Sequence, residues 1–442
     1  MTLLGLGLGC CAAILSLLCP GIAVAQTETK TDFSCTGLDA QQKFAAIEGL
    51  DGVFYRIDPD MQMFHAFSDG TADQLAQLSK ALASLGTTLI YVPVPTKSLA
   101  MTDQLPPAAR DYGFDANLAT TVYLEGLKKL QLRGVIAVDA RKFLHVADSA
   151  APPSFFLTDY RMTAAGAERE AAGIAAAIAA LPDFAALPKG NYETSSTGRV
   201  VIDSAMRQAM QRHCLQPLPL AETEGFAATR LQGNQPGKAN SIFNAKGSGQ
   251  IAVIGTEVDG EPAANLAGFV AKATGLDAVQ YAVTGGGPFA AISSYLTSGL
   301  FQESRPTYLV WTNPVENNLA QFGDQPFAEL IAAAGDNCRV PLALLLNPQT
   351  NSVVADLTTL DAGQSYTLMV DADGAEATTA TFDFTSASGL TLGKSVRRSK
   401  DQVKTGRFFM PMTGLWPEGA QSVEIKLDVP PGSNIRVTAC FN

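Results

Sequence analysis

The sequence predicts an α/β sheet wrapped by helices with a smaller β-sandwich after it, and two contrasting textures along the 442 residues predict this. Over residues 50–320 short apolar runs alternate with helical stretches, whereas from about Val353 the chain turns to Thr, Ser, Gly and Asp with alternating apolar positions. The runs Thr88 to Val94, Val135 to Val138, Ile251 to Gly255 and Tyr308 to Trp311 are apolar at nearly every position, the pattern of a strand buried on both faces. Between them, Ala72 to Leu85, Ala164 to Leu181, Ala263 to Thr274 and Phe289 to Leu300 have the length and composition of helices. In the C-terminal part, Tyr366 to Val370, Ala380 to Phe384 and Val423 to Leu427 alternate as half-buried strands do, and a sandwich of about ninety residues accommodates them.

Composition removes several function classes. With 31 Lys+Arg against 42 Asp+Glu the net charge is −11, which argues against nucleic acid as a partner. The three histidines, His65, His145 and His213, stand at no metal-ligand spacing, so neither a histidine-rich metal site nor a cofactor is expected. Hydrophobic residues at 47% are sufficient for a large core.

Residues 1–25 carry no charge, run apolar from Leu3 to Leu18 and end in Ala23-Val24-Ala25, which reads as a secretory signal cleaved after Ala25. The basic start of such signals is missing, so an uncleaved membrane anchor is the alternative. Cys10, Cys11 and Cys19 leave with the signal, and Cys35, Cys214, Cys338 and Cys440 remain. Four cysteines in an exported chain imply two disulfides in one of three pairings, and the lack of any C-x-x-C gives no support to a redox role.

Open α/β sheets bind ligands at the carboxyl ends of their strands. Three loops there stand out: Phe155 to Arg161, Ile254-Gly255-Thr256-Glu257, and Thr284-Gly285-Gly286-Gly287-Pro288-Phe289. With Asp51 to Arg56, Val92 to Lys97, Thr163 and Gly166, Asn265 to Phe269, Tyr295-Leu296 and Leu309-Val310-Trp311, their order resembles the alginate O-acetyltransferase family of AlgX/AlgJ type. The resemblance implies an SGNH-hydrolase-like, flavodoxin-like parallel sheet over 26–345 and a carbohydrate-binding-like β-sandwich over 346–442. It also implies a periplasmic location, an anionic or acetylated exopolysaccharide as partner beside other export or acetylation proteins, and one disulfide in each domain, Cys35–Cys214 and Cys338–Cys440.

The family's catalytic positions are altered in this chain. Where the resemblance places a nucleophilic serine stands Glu257, and where it places the histidine of an Asp-x-His segment stands Arg161; Asp159 alone is kept. A serine becomes nucleophilic when a neutral imidazole takes its proton, and a guanidinium, charged at every physiological pH, cannot. The expected function is therefore non-catalytic: binding exopolysaccharide or holding partners in an O-acetylation and export system. An active acetyltransferase or acetylesterase with a rearranged site is the alternative, with His145 and Ser154 as a displaced pair. A purely structural envelope subunit is a third reading. If Glu257 and Arg161 inherit the facing positions, they form an ionic lock with Asp159 as second acceptor.

Substrate contacts are expected from Lys97 and Tyr160 near the altered motif, and from a basic strip in the sandwich. Lys394, Arg397, Arg398, Lys400, Lys404 and Arg407 fall within fourteen residues whose only acid is Asp401, and Phe408, Phe409 and Trp416 follow. Such a strip can neutralise an acidic polysaccharide while an aromatic face packs on a sugar ring; otherwise it is a solvated face beside core phenylalanines.

Overall fold

The computed structural model describes residues 31–64, 68–148, 150–232, 235–238, 250–255, 264–283, 285–347, 350 and 352–442. The expected signal segment, His65, Thr284 and Glu257 lie outside them, and with Glu257 goes its expected pair with Arg161. Five parallel strands form the central sheet, in the spatial order Ile136–Ala137, Thr88–Val94, Tyr308–Pro314, Ile251–Gly255, Ala278–Ala282. Each apolar run splits by parity between two cores. Ile90, Val92, Val253 and Val310 pack on one face against the helices Ala164–Ala179 and Leu266–Thr274. Leu89, Tyr91, Ile254, Leu309 and Trp311 pack on the other, against Asp69–Ala83, Ala290–Leu296 and Gln325–Ala334. Burial on both faces is why these runs lack alternation.

The sequence-based elements hold with three differences. The run Phe289 to Leu300 is two helices, Ala290–Leu296 and Gly299–Glu303, because Ser298 turns the chain and its hydroxyl caps the second by accepting from Phe301 N at 3.3 Å. Helix Ala116–Leu132 and strand Ala278–Ala282 were not anticipated. Nor was an antiparallel arm, Asn191–Val201, Glu222–Gln232 and Gln235–Lys238, that lies beside helix Leu266–Thr274, with Phe226 edge-on to Phe269.

The C-terminal part is a sandwich of two antiparallel sheets. One orders Cys338–Pro341, Arg436–Phe441, Tyr366–Asp371, Arg407–Pro411; the other orders Leu344–Asn347, Ser352–Asp356, Ser422–Leu427, Thr379–Thr385, Thr391–Arg397. Strands from Cys338 onward thus belong to it, ahead of the boundary expected at 346. Disulfides Cys35–Cys214 and Cys338–Cys440 close one part each, in the pairing that the family resemblance implied. The two parts share a core: on strand Arg407–Pro411, Phe408 enters the sandwich interior while Phe409 packs into the core beside helix Gln325–Ala334. Among the described residues no helix is long and apolar enough to cross a membrane.

Candidate functional site

The site builds up at the carboxyl ends of the central strands, around the loop Phe155 to Met162. An antiparallel bridge between Phe155 and Met162 closes the loop, and Phe156 N donates to Arg161 O at 3.1 Å. Thr163 then caps helix Ala164–Ala179, its hydroxyl accepting from Gly166 N at 3.1 Å. Gly166 is required there, since a Cβ would stand 2.1 Å from Ser154 O.

Lys97, the first residue of the short helix Lys97–Ala100 that follows strand Thr88–Val94, holds this loop from beneath. Its ammonium donates towards Phe54 O at 2.8 Å, Phe156 O at 2.5 Å, Leu157 O at 2.9 Å and Asp159 O at 3.0 Å. Burial pushes its pKa down to about 7, with Asp60 and Asp159 working the other way. At 1% exposure it organises backbone and presents no surface, which replaces the substrate contact expected of it.

Asp159, at 1% exposure, is gripped by Arg161: Oδ1 accepts from Arg161 N and from Nε, each at 2.9 Å, and Oδ2 from Nη2 at 3.1 Å. Nη2 also donates to Asp203 O at 2.7 Å. Burial alone would raise the Asp159 pKa, but the hydrogen bonds from Arg161 and the Ser204 hydroxyl outweigh it and hold the carboxyl below its usual range. The guanidinium thus covers both oxygens of the Asp159 carboxylate.

Beside this loop lies a second charged group. Arg56 Nη2 meets Asp60 Oδ1 at 3.0 Å and Glu316 Oε1 at 2.9 Å, and its guanidinium carbon sits 4.4 Å from the Tyr160 ring centroid. Tyr160 stacks in turn on Phe44. Burial raises the Glu316 pKa against the pull of Arg56. Arg56, Asp60, Asp203, Ser204 and Glu316 escaped the sequence reading. Arg56 lay inside the segment Asp51 to Arg56, and Glu316 follows the carboxyl end of strand Tyr308–Pro314, so the strand-end rule could have found it.

The displaced pair does not assemble among the described residues. Ser154 Oγ donates to Leu144 O at 2.6 Å and accepts from Arg169 Nη1 at 2.9 Å, while His145 Nε2 faces Asp103 Oδ2 at 3.8 Å. His213 Nδ1 lies 3.2 Å from Thr36 O beside the Cys35–Cys214 disulfide.

The basic strip divides between interface and solvent. Arg398 forms a two-pronged pair with Glu329, Nη1 to Oε1 at 2.6 Å and Nη2 to Oε2 at 2.9 Å, between the sandwich and helix Gln325–Ala334. Arg407 reaches Asp371 Oδ2 at 3.3 Å and Thr297 O at 3.2 Å. Lys394 donates to Pro411 O and Thr413 O at 3.1 and 2.6 Å. Arg398 and Arg407 therefore serve the joint, because a buried carboxylate and a helix end offer them partners there, and Arg397 and Lys400 remain exposed. Phe408 and Phe409 are core, and Trp416 is half-buried at the far loops. The glycine loop also meets the strip: Gly285, Gly286 and Gly287 all have φ near +78°, and a Cβ on Gly286 would lie 2.8 Å from Ser399 Oγ.

Residues 47–315 match the family described as SGNH hydrolase-like domain, acetyltransferase AlgX. The chain belongs to this AlgX family. The alginate biosynthesis protein AlgX of Pseudomonas aeruginosa is 27% identical over 275 residues, 62% of this chain and 56% of that protein. AlgX of Azotobacter vinelandii is 26% identical over 298 residues, 67% of this chain and 59% of that protein. The chain thus spans a little over half the length of these AlgX relatives. A solved structure of Pseudomonas aeruginosa AlgX superposes with a TM-score of 0.72 at 21% identity, covering 92% of this chain and 99% of that one, so the AlgX fold extends through the sandwich. AlgX kinship and the two disulfides together point to an exported protein.

Proposed function

We propose that this chain is a non-catalytic member of the AlgX family that binds exopolysaccharide or holds partner proteins within a periplasmic O-acetylation and export system. One observation carries the reading: the Arg161 guanidinium occupies both carboxylate oxygens of Asp159. A proton acceptor is needed beside the nucleophile, and guanidinium has no lone pair to offer at neutral pH. With glutamate in the nucleophile position, an attack on an ester would form a mixed anhydride that water destroys. Losing both serine and histidine removes on the order of 10⁶-fold of rate in a serine-protease triad. Polysaccharide association is supported by kinship to proteins named for alginate biosynthesis and by exposed Arg397 and Lys400.

The test joins two measurements on the purified chain. Turnover of a chromogenic acetyl ester separates enzyme from binder, and retention on an immobilised anionic polysaccharide separates binder from scaffold. The reading predicts no turnover above buffer together with salt-sensitive retention; turnover lost in Ser154→Ala or His145→Ala would replace it with a rearranged enzyme.

A further inference from the structure

Strand Leu344–Asn347 forms one edge of the five-stranded sheet, and its one strand neighbour among the described residues is Ser352–Asp356, with Leu345 opposite Val354 and Leu346 opposite Val353. Asp356 N donates to Ala343 O at 3.0 Å, so position 343 turns its backbone groups towards that neighbour. By the alternation of an antiparallel ladder Leu345 does the same, and the N–H and C=O groups of Leu344 and Leu346 point out of the sheet. Leu344 packs on the sandwich core, whereas Leu345 is 75% and Leu346 55% exposed. A row of open backbone donors and acceptors beside exposed leucines is a template for another strand.

Charge decides which strand it takes. Natural edges are commonly blunted by a charged side chain, lysine above all, yet from Val340 to Ala355 no residue is charged. The rest of the chain carries the net −11, so two copies repel over most of their surface and meet without like charge at this hairpin. The edge also fits itself. Laid antiparallel about a two-fold axis through Leu345, Leu344 becomes the hydrogen-bonded partner of Leu346 in the second copy, which satisfies every outward backbone group of both residues. Leu345 then meets its own counterpart at the closer, non-hydrogen-bonded spacing of about 4.5 Å between Cα atoms. Each exposed leucine is thereby covered by a leucine. Pro341 and Pro348, which have no N–H, bracket the run, so a longer foreign strand gains no further pairing.

We propose that this edge is an interface between two copies of the chain, which pair antiparallel through Leu344–Asn347 and join their five-stranded sheets into one. The contact is short, and stable interfaces bury about 1,200 Å² or more, so the dimer forms reversibly with concentration. The proposal stands apart from the function proposed above, since an enzyme, a binder and a scaffold would carry the same edge.

Sedimentation velocity on the full chain, from micromolar to near-millimolar protein, should show monomer giving way to dimer. Leu345→Lys sets two ammonium groups against each other on the axis, and Leu346→Pro removes an outward N–H while leaving the pairing with Ser352–Asp356 in place. Each should weaken association about tenfold or more, with unchanged circular dichroism. Cysteine reads the register. Under mild oxidation with diamide Leu345→Cys should link two copies, since its Cα spacing on the axis lies within disulfide range. The wild type, and Leu392→Cys at the opposite edge of the same sheet, should not be linked. A monomer at every concentration, association unchanged in either Leu345→Lys or Leu346→Pro, or linking through Leu392→Cys equal to that through Leu345→Cys would overturn the proposal.

Discussion

Arg161 and Asp159, two residues apart in one loop, share a two-pronged ion pair in which Nε meets Oδ1 at 2.9 Å and Nη2 meets Oδ2 at 3.1 Å. The carboxylate is buried while the guanidinium is 18% exposed, so the pair sits at the lip of the site. Removing the arginine would leave a desolvated carboxylate with Ser204 as its remaining side-chain donor. Arg161→Ala should therefore cost about 3–5 kcal/mol at neutral pH. The sign with pH follows from the depressed Asp159 pKa. In the wild type the pair contributes stability above the ordinary carboxylate range, near 3.9, and loses it as pH falls through the lower folded value. In the variant burial acts with less opposition and raises that pKa, so its deficit should shrink on acidification. Urea unfolding at pH 7.5 and pH 4.5 measures both, and an equal deficit at the two would contradict the assignment.

Lys97 offers a second test. Each orphaned buried acceptor costs about 1–3 kcal/mol, and Lys97→Met would withdraw the ammonium from four carbonyls at once, of which Leu157 O keeps the Phe54 amide at 2.8 Å. The loop bearing Asp159 should loosen before the fold is lost. Hydrogen exchange should show the amides of Arg161 and Thr163 losing protection ahead of strand Tyr308–Pro314.

The joint between the two parts rests on Arg398 and Glu329, 9% and 1% exposed at the side chain. Arg398→Ala should cost about 3–5 kcal/mol because Glu329 is left buried and uncompensated, whereas the paired change Arg398→Met/Glu329→Leu should come close to neutral. Calorimetry should show one transition in the wild type and two in Arg398→Ala. A single unshifted transition in that variant would mean that the pair does not couple the domains.

Polysaccharide retention, where it occurs, should depend on the exposed members of the strip. Arg397→Glu with Lys400→Glu should abolish it while leaving the melting temperature unchanged. Retention by the wild type should fall between about 0.01 and 0.15 M salt as the screening length contracts from about 30 to 8 Å. Insensitivity to both would return the strip to a solvated face.

The fold was legible because burial writes itself into composition. The run Thr88 to Val94 is apolar at nearly every position since Leu89 and Ile90 feed opposite cores, and Phe382 and Phe384 alternate with half-buried neighbours because one face of their sheet is inside. The arm Asn191–Val201 was not, since its positions from Ser195 to Arg199 are half- or fully exposed and leave no apolar pattern. The site was half legible. Asp159 and Arg161 stood in a recognisable motif, but the partners that fix them, Asp203, 42 residues beyond Arg161, and its neighbour Ser204, match no spacing rule. The strip misled for the same reason: sequence gives its charge, and only the position of Glu329 on a distant helix reveals that Arg398 points inward.

The most direct test of the central claim is the turnover of a chromogenic acetyl ester by the purified chain, compared with Glu257→Ser, Ser154→Ala and His145→Ala. Without an imidazole in place of Arg161, the account predicts that wild type and Glu257→Ser are both indistinguishable from buffer at neutral pH. Wild-type turnover that Ser154→Ala or His145→Ala abolishes, in variants that remain folded, would contradict it and make this chain an enzyme with a relocated site.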